Sequence, residues 1–473
     1  MATKEEIESR SPQANKGSQK RQLLRNLRNG AEAMRKMSTG KSDSYLPIEK
    51  NESQEEFEKR VKDKTDLNNS TTKSIDDMVN SIFEKEIYFK TEDEDLNRIV
   101  ENFDGAGGSL NTWAQAWKKD ASYNGAAYAL VNFDRDTVKN SDPYVIEIDA
   151  EDVHNIRKND KGQITLFKYE VNYTRPNGDF ADEQVKNVFI YKIENNVLKV
   201  RTFEGIYIDG IIEDYLELNE KVFSKFNEVP IVELYPETRS KNLDADCPYN
   251  DLAEKNLVHW KYNSLYLSLV NTASRPFIFG SGFKQEKRDG TDNKIPFGIK
   301  VMYTTEKADA KIQWVQADNQ SSDMIIKLLD RLEEEMEVLG SSFMDDTTRM
   351  TAEEVKATTA DSNARAAKYS MQLEKSLKRI IYFMLKWKLK SEDTEFTLIT
   401  NKEIGVSRDE QSYNAINDMH SKGLISDKDA RLLFKSIEYL PKDLTEEQIV
   451  ENLEAQKEDE IGEDLPLETE ESE

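Results

Sequence analysis

The stretch that decides the fold reads SSDMIIKLLDRLEEEMEVLG (321–340), SSFMDDTTRM (341–350) and TAEE (351–354), and it predicts two helices separated by a break. Before the break, apolar residues recur every three or four positions, which is the spacing of a helix buried on one face. Gly340 is a typical helix stop, and Thr351 with Glu354 forms a capping box that starts the next helix. No helix breaker follows until about Lys390, so the second helix is predicted to be roughly 55–60 Å long.

Composition indicates a protein with long helices and a large solvated surface. The chain has 473 residues, of which 37% are apolar, enough for two or three domains with apolar cores. Its mean hydropathy is −0.76. No apolar run approaches the roughly 18 residues that a membrane span needs, and the N-terminus lacks an apolar signal core, so the chain is predicted to be cytosolic without a membrane partner. Cys247 is the single cysteine, which excludes an internal disulfide and favours a buried structural thiol.

The net charge of −25 argues against a surface that binds nucleic acid as a whole, because such binding depends on Lys and Arg that displace counterions. It is compatible with DNA that passes without adhering. One segment, Lys20–Lys41, is basic, and a solvated helix face is the favoured interpretation of it over a nucleic-acid patch.

The order of predicted elements gives an α+β fold class. Residues 1–19 are polar and predicted to be disordered. Helices are predicted near 72–83 and 110–123, the second with Trp113 and Trp117 as core residues. Between 126 and 235 the apolar period changes from 3.6 to 2, which predicts an antiparallel β region.

The remainder of the chain is predicted to be mostly helical. A helix follows Pro248, a small β-rich insertion spans 274–320, and a short strand, EFTLIT (395–400), comes after the long helix. Further helices occupy 405–456, with Ser426 as a cap, and the acidic tail 457–473 is predicted to be disordered.

Signatures of catalysis are lacking in the sequence. The three histidines, His154, His259 and His420, have no metal-ligand spacing, so no metal and no cofactor are expected. No nucleophile motif occurs, and the glycine-rich segment 105–109 is best explained as a linker. Asp345 and Asp346 are adjacent, but carboxylates are too abundant here for a pair to indicate a nuclease. The chain is therefore predicted not to be an enzyme.

This arrangement resembles the portal proteins of tailed double-stranded DNA bacteriophages over roughly residues 20–455. The resemblance rests on distributed segments rather than on one signature. They are RNGAEAMRKM (28–37), YLPIEKNESQEEFEKRV (45–61), YVIEIDAEDVHNIRKNDKGQITL (144–166), VPIVELYP (229–236), NDLAEKNLVHWKYN (250–263), LGSSFM (339–344) and RMTAEEVKAT (349–358).

The resemblance implies a division of the chain into portal parts. The wing is α+β and covers 20–247, together with a spoke helix and strand at 352–404. The stem helices are 248–273 and 321–339, joined by the clip at 274–320. Residues 340–351 correspond to the tunnel loop, and 405–456 to the helical crown.

The family's function is implied in the same way. Its subunits form a dodecameric ring at one capsid vertex in the virion, which is assembled in the host cytoplasm. The ring passes double-stranded DNA during packaging and ejection and contacts the major capsid protein and scaffold. It docks the terminase packaging motor and then the neck or adaptor proteins, and it hydrolyses nothing.

Three groups of residues are candidate contacts in such a ring. The tunnel-loop candidates for contact with DNA are Phe343, Met344, Asp345, Asp346, Thr347, Thr348 and Arg349. The stem candidates are Lys255, Lys261, Lys327 and Arg331, which either form sparse basic rings in the channel or make salt bridges between subunits. The clip candidates for a motor or neck interface are Lys284, Lys287 and Arg288, for which ordinary solvated loop charges are an equally good explanation.

Two other functions remain open from the sequence. One is a magnesium-dependent phage nuclease or packaging-motor component that uses Asp345 and Asp346, although the chain has no phosphate-binding loop. The other is a different head or neck adaptor that binds a portal instead of forming the channel.

Overall fold

The computed structural model divides the chain into two compact units, Met1–Lys402 and Glu403–Glu473. The residues that it describes are 3–41, 44–50, 52–63, 65–132, 142–178, 181–208, 210–236, 243–273, 277–281, 311–315, 320–340, 352–388, 394–402 and 410–436.

Helices and strands alternate in blocks along the first unit. Its helices are α1 (Lys4–Glu8), α2 (Pro12–Arg28), α3 (Gly30–Lys36), α4 (Gln54–Asp63), α5 (Ser70–Ile82), α6 (Glu94–Glu101), α7 (Leu110–Asn124), α8 (Asn250–Ala273), α9 (Gln320–Gly340) and α10 (Ala352–Trp387). Its strands are β1 (Tyr88–Thr91), β2 (Ala127–Asn132), β3 (Tyr144–Ile148), β4 (Val153–Lys158), β5 (Ile164–Pro176), β6 (Asp182–Glu194), β7 (Val197–Ile208), β8 (Ile211–Phe223), β9 (Ile231–Leu234), β10 (Phe277–Ser281), β11 (Lys311–Val315) and β12 (Phe396–Ile399).

The strands form antiparallel sheets, and the predicted α+β class is confirmed. The largest sheet has the order β4-β5-β6-β7-β8, and a smaller one has the order β3-β2-β9. The pairs β1-β12 and β10-β11 complete the described sheets. Within the predicted β region 126–235, the sequence runs with period-2 alternation are AAYALVNF, YVIEI, ITLFKYEVNY, VKNVFIYKI, VLKVRTFEG and IVELY, and they correspond to β2, β3, β5, β6, β7 and β9. β4 and β8 lie in the same region without such a run, and β1 lies outside it.

The two helices on either side of the sequence break are confirmed. α9 ends at Gly340, and α10 contains 36 residues, a length of about 54 Å. Residues 341–351, including the predicted capping residue Thr351, lie outside the described residues.

The second half of α10 lies in the core of the first unit. It packs against β9, β2, α5 and α7. Its fully buried side chains include Leu373, Leu377, Ile380, Ile381 and Met384. On α7, Trp117 is completely buried and its ring lies 5.0 Å from that of Trp113, which confirms the core role of this pair.

The predicted disorder of residues 1–19 is wrong for residues 3–19, which contain α1 and the start of α2. Thr3 and Glu6 form a capping box on α1, and Ser11 caps α2. The Ser11 N–H also donates a hydrogen bond of 2.8 Å to the carbonyl oxygen of His154. Ile7 is 1% exposed and joins a cluster with Val188, Phe203 and Tyr215, and Ala14 of α2 is completely buried. Two buried apolar residues in a polar segment are too weak a signal for composition to reveal.

The basic segment Lys20–Lys41 is not simply a solvated helix face, as the sequence had suggested. Arg21 is 1% exposed, and its guanidinium donates to Glu151 at 2.9 Å and to the Leu243 carbonyl at 2.8 Å. Arg25 contacts Asp149 at 3.2 Å, and Arg28 pairs with Asp120. These arginines join α2 to the turn between β3 and β4 and to α7, so their charge is compensated within the chain.

Lys118 of α7 is completely buried. Its Nζ lies 4.5 Å from the centre of the Tyr369 ring and has no hydrogen-bond partner within the described part of the chain. Burial lowers the pKa of Lys118 to about 7. An exposed lysine has a pKa of about 10.4, so between these two values the unfolded chain binds a proton that the folded chain does not. Lowering the pH through this window therefore destabilises the fold, and the effect disappears above the unfolded-state pKa.

The second unit contains α11 (Glu410–Ser421) and α12 (Asp427–Ser436). Ser426 caps α12 as predicted, because its hydroxyl accepts from the Asp429 N–H at 3.2 Å. The rings of Tyr413 and Phe434 lie 5.4 Å apart and hold the two helices together. The predicted helix near 446–456 and the acidic tail lie outside the described residues.

Candidate functional site

The candidate site is built on the helix pair α8–α9, which runs antiparallel. Leu252 and Lys255 near the start of α8 lie beside Gly340 and Glu335 near the end of α9. His259, one turn further along α8, lies beside Glu333. The two helices therefore run in opposite directions. Strands β10 and β11, which follow α8 and precede α9, pair from Phe277 with Val315 to Ser281 with Lys311.

Asn256 attaches α8 to the rest of the unit. Its side chain is completely buried. The amide oxygen accepts from the Thr71 N–H at 3.2 Å and from the Thr71 hydroxyl at 3.1 Å, and the amide nitrogen donates to the Asn68 carbonyl at 2.6 Å. The first turn of a helix has N–H groups without a partner inside the helix, and Asn256 satisfies one of them in α5. These hydrogen bonds fix the position and the orientation of α8 relative to α5.

Arg60 makes a second attachment, between α4 and the middle of α8. It is 2% exposed and donates to both carboxylate oxygens of Glu52, at 2.7 and 2.8 Å. Two further bonds reach the Ser264 hydroxyl at 3.2 Å and the Pro47 carbonyl at 2.8 Å. Because the buried guanidinium is paired in the two-pronged geometry that suits a carboxylate, its desolvation is compensated.

Ion pairs connect α8 to α9 along their shared side. Glu335 pairs with Lys255 and also, at 2.9 Å, with Arg331 one turn away on its own helix. Hydrogen bonds from these two cations hold the pKa of the Glu335 carboxyl below its usual range. Glu333 accepts from His259 at 3.1 Å and from the Asn68 amide at 3.2 Å.

Gly340 marks the point where α9 ends against α5. A Cβ atom at this position would lie 2.3 Å from the Ser74 hydroxyl and 3.5 Å from a methyl group of Leu252. The sequence suggested only that Gly340 stops the helix. In the structure it also permits the close contact of α9 with α5 and α8, immediately before the break.

An acidic stripe runs along the outer surface of α9. Its members are Asp323, Asp330, Glu334 and Glu337, which are all exposed. Their spacing of seven, four and three residues places them on one side of the helix, where Lys327 also lies. Across the whole of α9 there are six acidic residues and two basic ones. The charge on this side of α9 is therefore predominantly negative.

The predicted stem residues have different environments. Lys255 and Arg331 both pair with Glu335 of the same chain. Lys327 is exposed and Lys261 is half-buried, and no ion pair to either is found among the described residues. The tunnel-loop candidates, Phe343 to Arg349, lie outside the described residues, as do Lys284, Lys287 and Arg288.

The three histidines lie apart, each beside a carboxylate. His154 is buried and contacts Glu170 at 2.8 Å, and burial lowers the pKa of His154 although Glu170 opposes this. His259 contacts Glu333, and His420 contacts Asp427 at 2.5 Å. Within the described ranges, no group of three or more His, Cys, Asp or Glu side chains is placed to hold a metal ion. None of the described helices is long and apolar enough to cross a membrane.

Comparison with known proteins gives limited information. Residues 248–388, less than half of the chain, match a family described as "Domain of unknown function (DUF4055)". This segment begins near the start of α8 and ends just after α10. A search of curated proteins finds no match. Among solved structures, the chain is similar to one described as "Neck of empty GTA particle computed with C6 symmetry", with 10% identity over 78% of this chain and 90% of that chain. The TM-score is 0.42, which is too low to establish a common fold.

Proposed function

We propose that this chain is a bacteriophage portal subunit, which assembles into a ring at one capsid vertex and provides the passage for double-stranded DNA. The observation that carries the proposal is the α8–α9 pair. It is attached to the α+β body by Asn256 and Arg60 and continues into the β10–β11 pair. A body, a two-helix stem, a β tip and a long returning helix occur in the order expected of a portal.

The acidic stripe of α9 supports a role in DNA passage. Phosphates are attracted by clustered Lys and Arg and repelled by carboxylates. A ring that repeats Asp323, Asp330, Glu334 and Glu337 in every subunit would present DNA with a wall to which it does not adhere. In this proposal the portal itself is not an enzyme, and the packaging motor supplies the work.

Ring formation is the first test. Native mass spectrometry and electron microscopy of the purified chain should show closed rings with a central opening, with twelve subunits as the expected number. Particles that stay monomeric at every concentration would refute the proposal. Binding only to a preformed portal would instead favour a head or neck adaptor.

The loop between the stem and α10 gives a second test. Replacing residues 342–349 by a Gly-Ser linker of the same length should leave rings intact and reduce DNA packaging or retention, because Gly340 ends α9 independently of this loop. Loss of rings would show that the loop is an assembly element.

The nuclease alternative is tested by Asp345→Ala. If the purified chain cleaves DNA in the presence of Mg²⁺ and this variant does not, the chain is an enzyme. The portal proposal requires no cleavage by either protein.

A further inference from the structure

A basic cleft lies beside α10. It has a volume of about 880 Å³ and is bounded by α10, β9 and the turn between β4 and β5. The charged side chains that line it are Lys158, Lys161, Glu228, Glu233, Lys375, Lys378 and Arg379. Five basic residues face two acidic ones, in a chain with a net charge of −25.

Some of these basic side chains already form ion pairs within the chain. Arg379 contacts both oxygens of Glu228 at 2.6 Å, Lys158 contacts Glu233 at 2.6 Å, and Lys378 contacts Glu374 at 2.7 Å. Lys161 and Lys375 are exposed, and no ion pair to either is found among the described residues. The cleft also has an apolar component, contributed by Tyr382 and Ile231. Its chemistry therefore suits a segment that combines carboxylates with apolar side chains.

Such a segment is present at the far end of the large sheet. Residues 211–218 of β8 read IIEDYLEL and contain three acidic residues and no basic one. Ile211 is 65% exposed and Leu216 is 56% exposed. Glu217 is held by Arg201 at 2.7 Å, whereas Glu213 and Asp214 are exposed and no ion pair to either is found in the described part of the chain. The Lys4 ammonium, from α1 of the same chain, donates to the neighbouring Ile212 carbonyl. β8 is also an edge strand of its sheet. Edges of this kind are normally covered.

The segment cannot reach the cleft of its own chain. The register pairs Leu166 with Lys192 and Leu198 with Phe223, so the β4–β5 turn lies near the end of β8, not near its beginning. Strands of 13 residues, such as β5 and β8, are about 40 Å long. The start of β8 is thus at the opposite end of a rigid sheet from the turn that borders the cleft.

We propose that residues 211–218 of one copy bind in the basic cleft of the next copy. Glu213 and Asp214 then face Lys161 and Lys375, and Ile211 and Leu216 contact Tyr382 and its apolar neighbours. Two different surfaces of one chain are joined in this contact, so it is head-to-tail and can close a ring. The inference rests on the proposed function, since it requires that the chain oligomerise.

A charge exchange tests the contact. Glu213→Lys and Lys375→Glu each place like charges together, and each should raise the protein concentration needed for half-maximal ring formation at least tenfold. The double variant restores opposite charges at every interface and should return to within about threefold of the wild type. Lys90→Glu, at an exposed position on β1 outside the cleft, is the matched control and should assemble like the wild type.

A variant without a charge change distinguishes loss of the contact from loss of folding. Ile211→Ser removes an exposed apolar side chain and should weaken ring formation severalfold without changing the thermal unfolding of the monomer. If the wild type forms rings and the single reversals assemble equally well, this contact is wrong and the portal proposal is untouched. If the wild type never forms rings, both are refuted.

Discussion

Replacing Asn256 by alanine should destabilise the first unit by about 3 kcal/mol. The substitution removes three hydrogen bonds, of 3.2, 3.1 and 2.6 Å, from a site that is completely buried. The Thr71 N–H and the Asn68 carbonyl lose their partner, while the Thr71 hydroxyl can rotate. Each buried polar group without a partner costs about 1–3 kcal/mol, and two such groups give the expected size.

The measurement is chemical denaturation of the monomeric chain followed by tryptophan fluorescence. All five tryptophans lie in the first unit, so this signal reports on the unit that contains Asn256. Asn263→Ala is the matched control, because Asn263 is on the same helix and donates one bond of 3.0 Å to the Asp66 carbonyl at an exposed position. Its cost should be below about 1 kcal/mol. If both variants lose the same stability, the hydrogen bonds of Asn256 do not anchor α8.

Two further changes test other parts of the fold. Gly340→Ala should cost about 1–2 kcal/mol despite the better helix propensity of alanine, because the new Cβ would meet the Ser74 hydroxyl at 2.3 Å. In a Ser74→Ala background the same change should be neutral or stabilising, and a double-mutant cycle by denaturation checks this. Lys118→Met should stabilise the fold at pH 7 by a few kcal/mol and remove the loss of stability on going from about pH 10 to pH 7, since the pKa of Lys118 is lowered to about 7. The measurement is thermal unfolding of the wild type and the variant over that pH range. If the two proteins show the same dependence of stability on pH, the prediction for Lys118 is wrong.

Local patterns in the sequence predicted much of the fold. α9 and α10 follow from apolar spacing and from Gly340, because a helix is specified by residues within a few turns of each other. Strands with a clear alternation, such as β3, were predicted for the same reason. β8 was not, because only Tyr215 and Phe223 are buried along its length and the other positions are exposed or half-buried. An edge strand of this kind has no period-2 signal.

Contacts between distant residues were beyond what the sequence could predict. Asn256 reaches Asn68 and Thr71, which are more than 180 positions away in the chain. Lys255 was identified as a charge on the stem, but its pairing with Glu335 depends on the antiparallel register of α8 and α9. The packing at Gly340 helps to set that register. It cannot be predicted from the local sequence pattern of either helix.

The position of the charges, more than their sum, determines which partners this chain attracts. Arg21 and Arg60 are buried in ion pairs, so they do not act on anything outside the chain. The acidic stripe of α9 and the basic cleft beside α10 are exposed, and at physiological salt a charge is felt over only about 8 Å. Each surface therefore acts separately, and salt should affect them in opposite senses. If the proposed ring and its contact between subunits are right, raising the ionic strength should weaken the attraction of Glu213 to Lys375 and disfavour assembly, whereas it should reduce the repulsion between DNA and α9. A ring assembled at low salt and then moved to higher salt should accordingly lose subunits while its channel becomes less repellent to DNA.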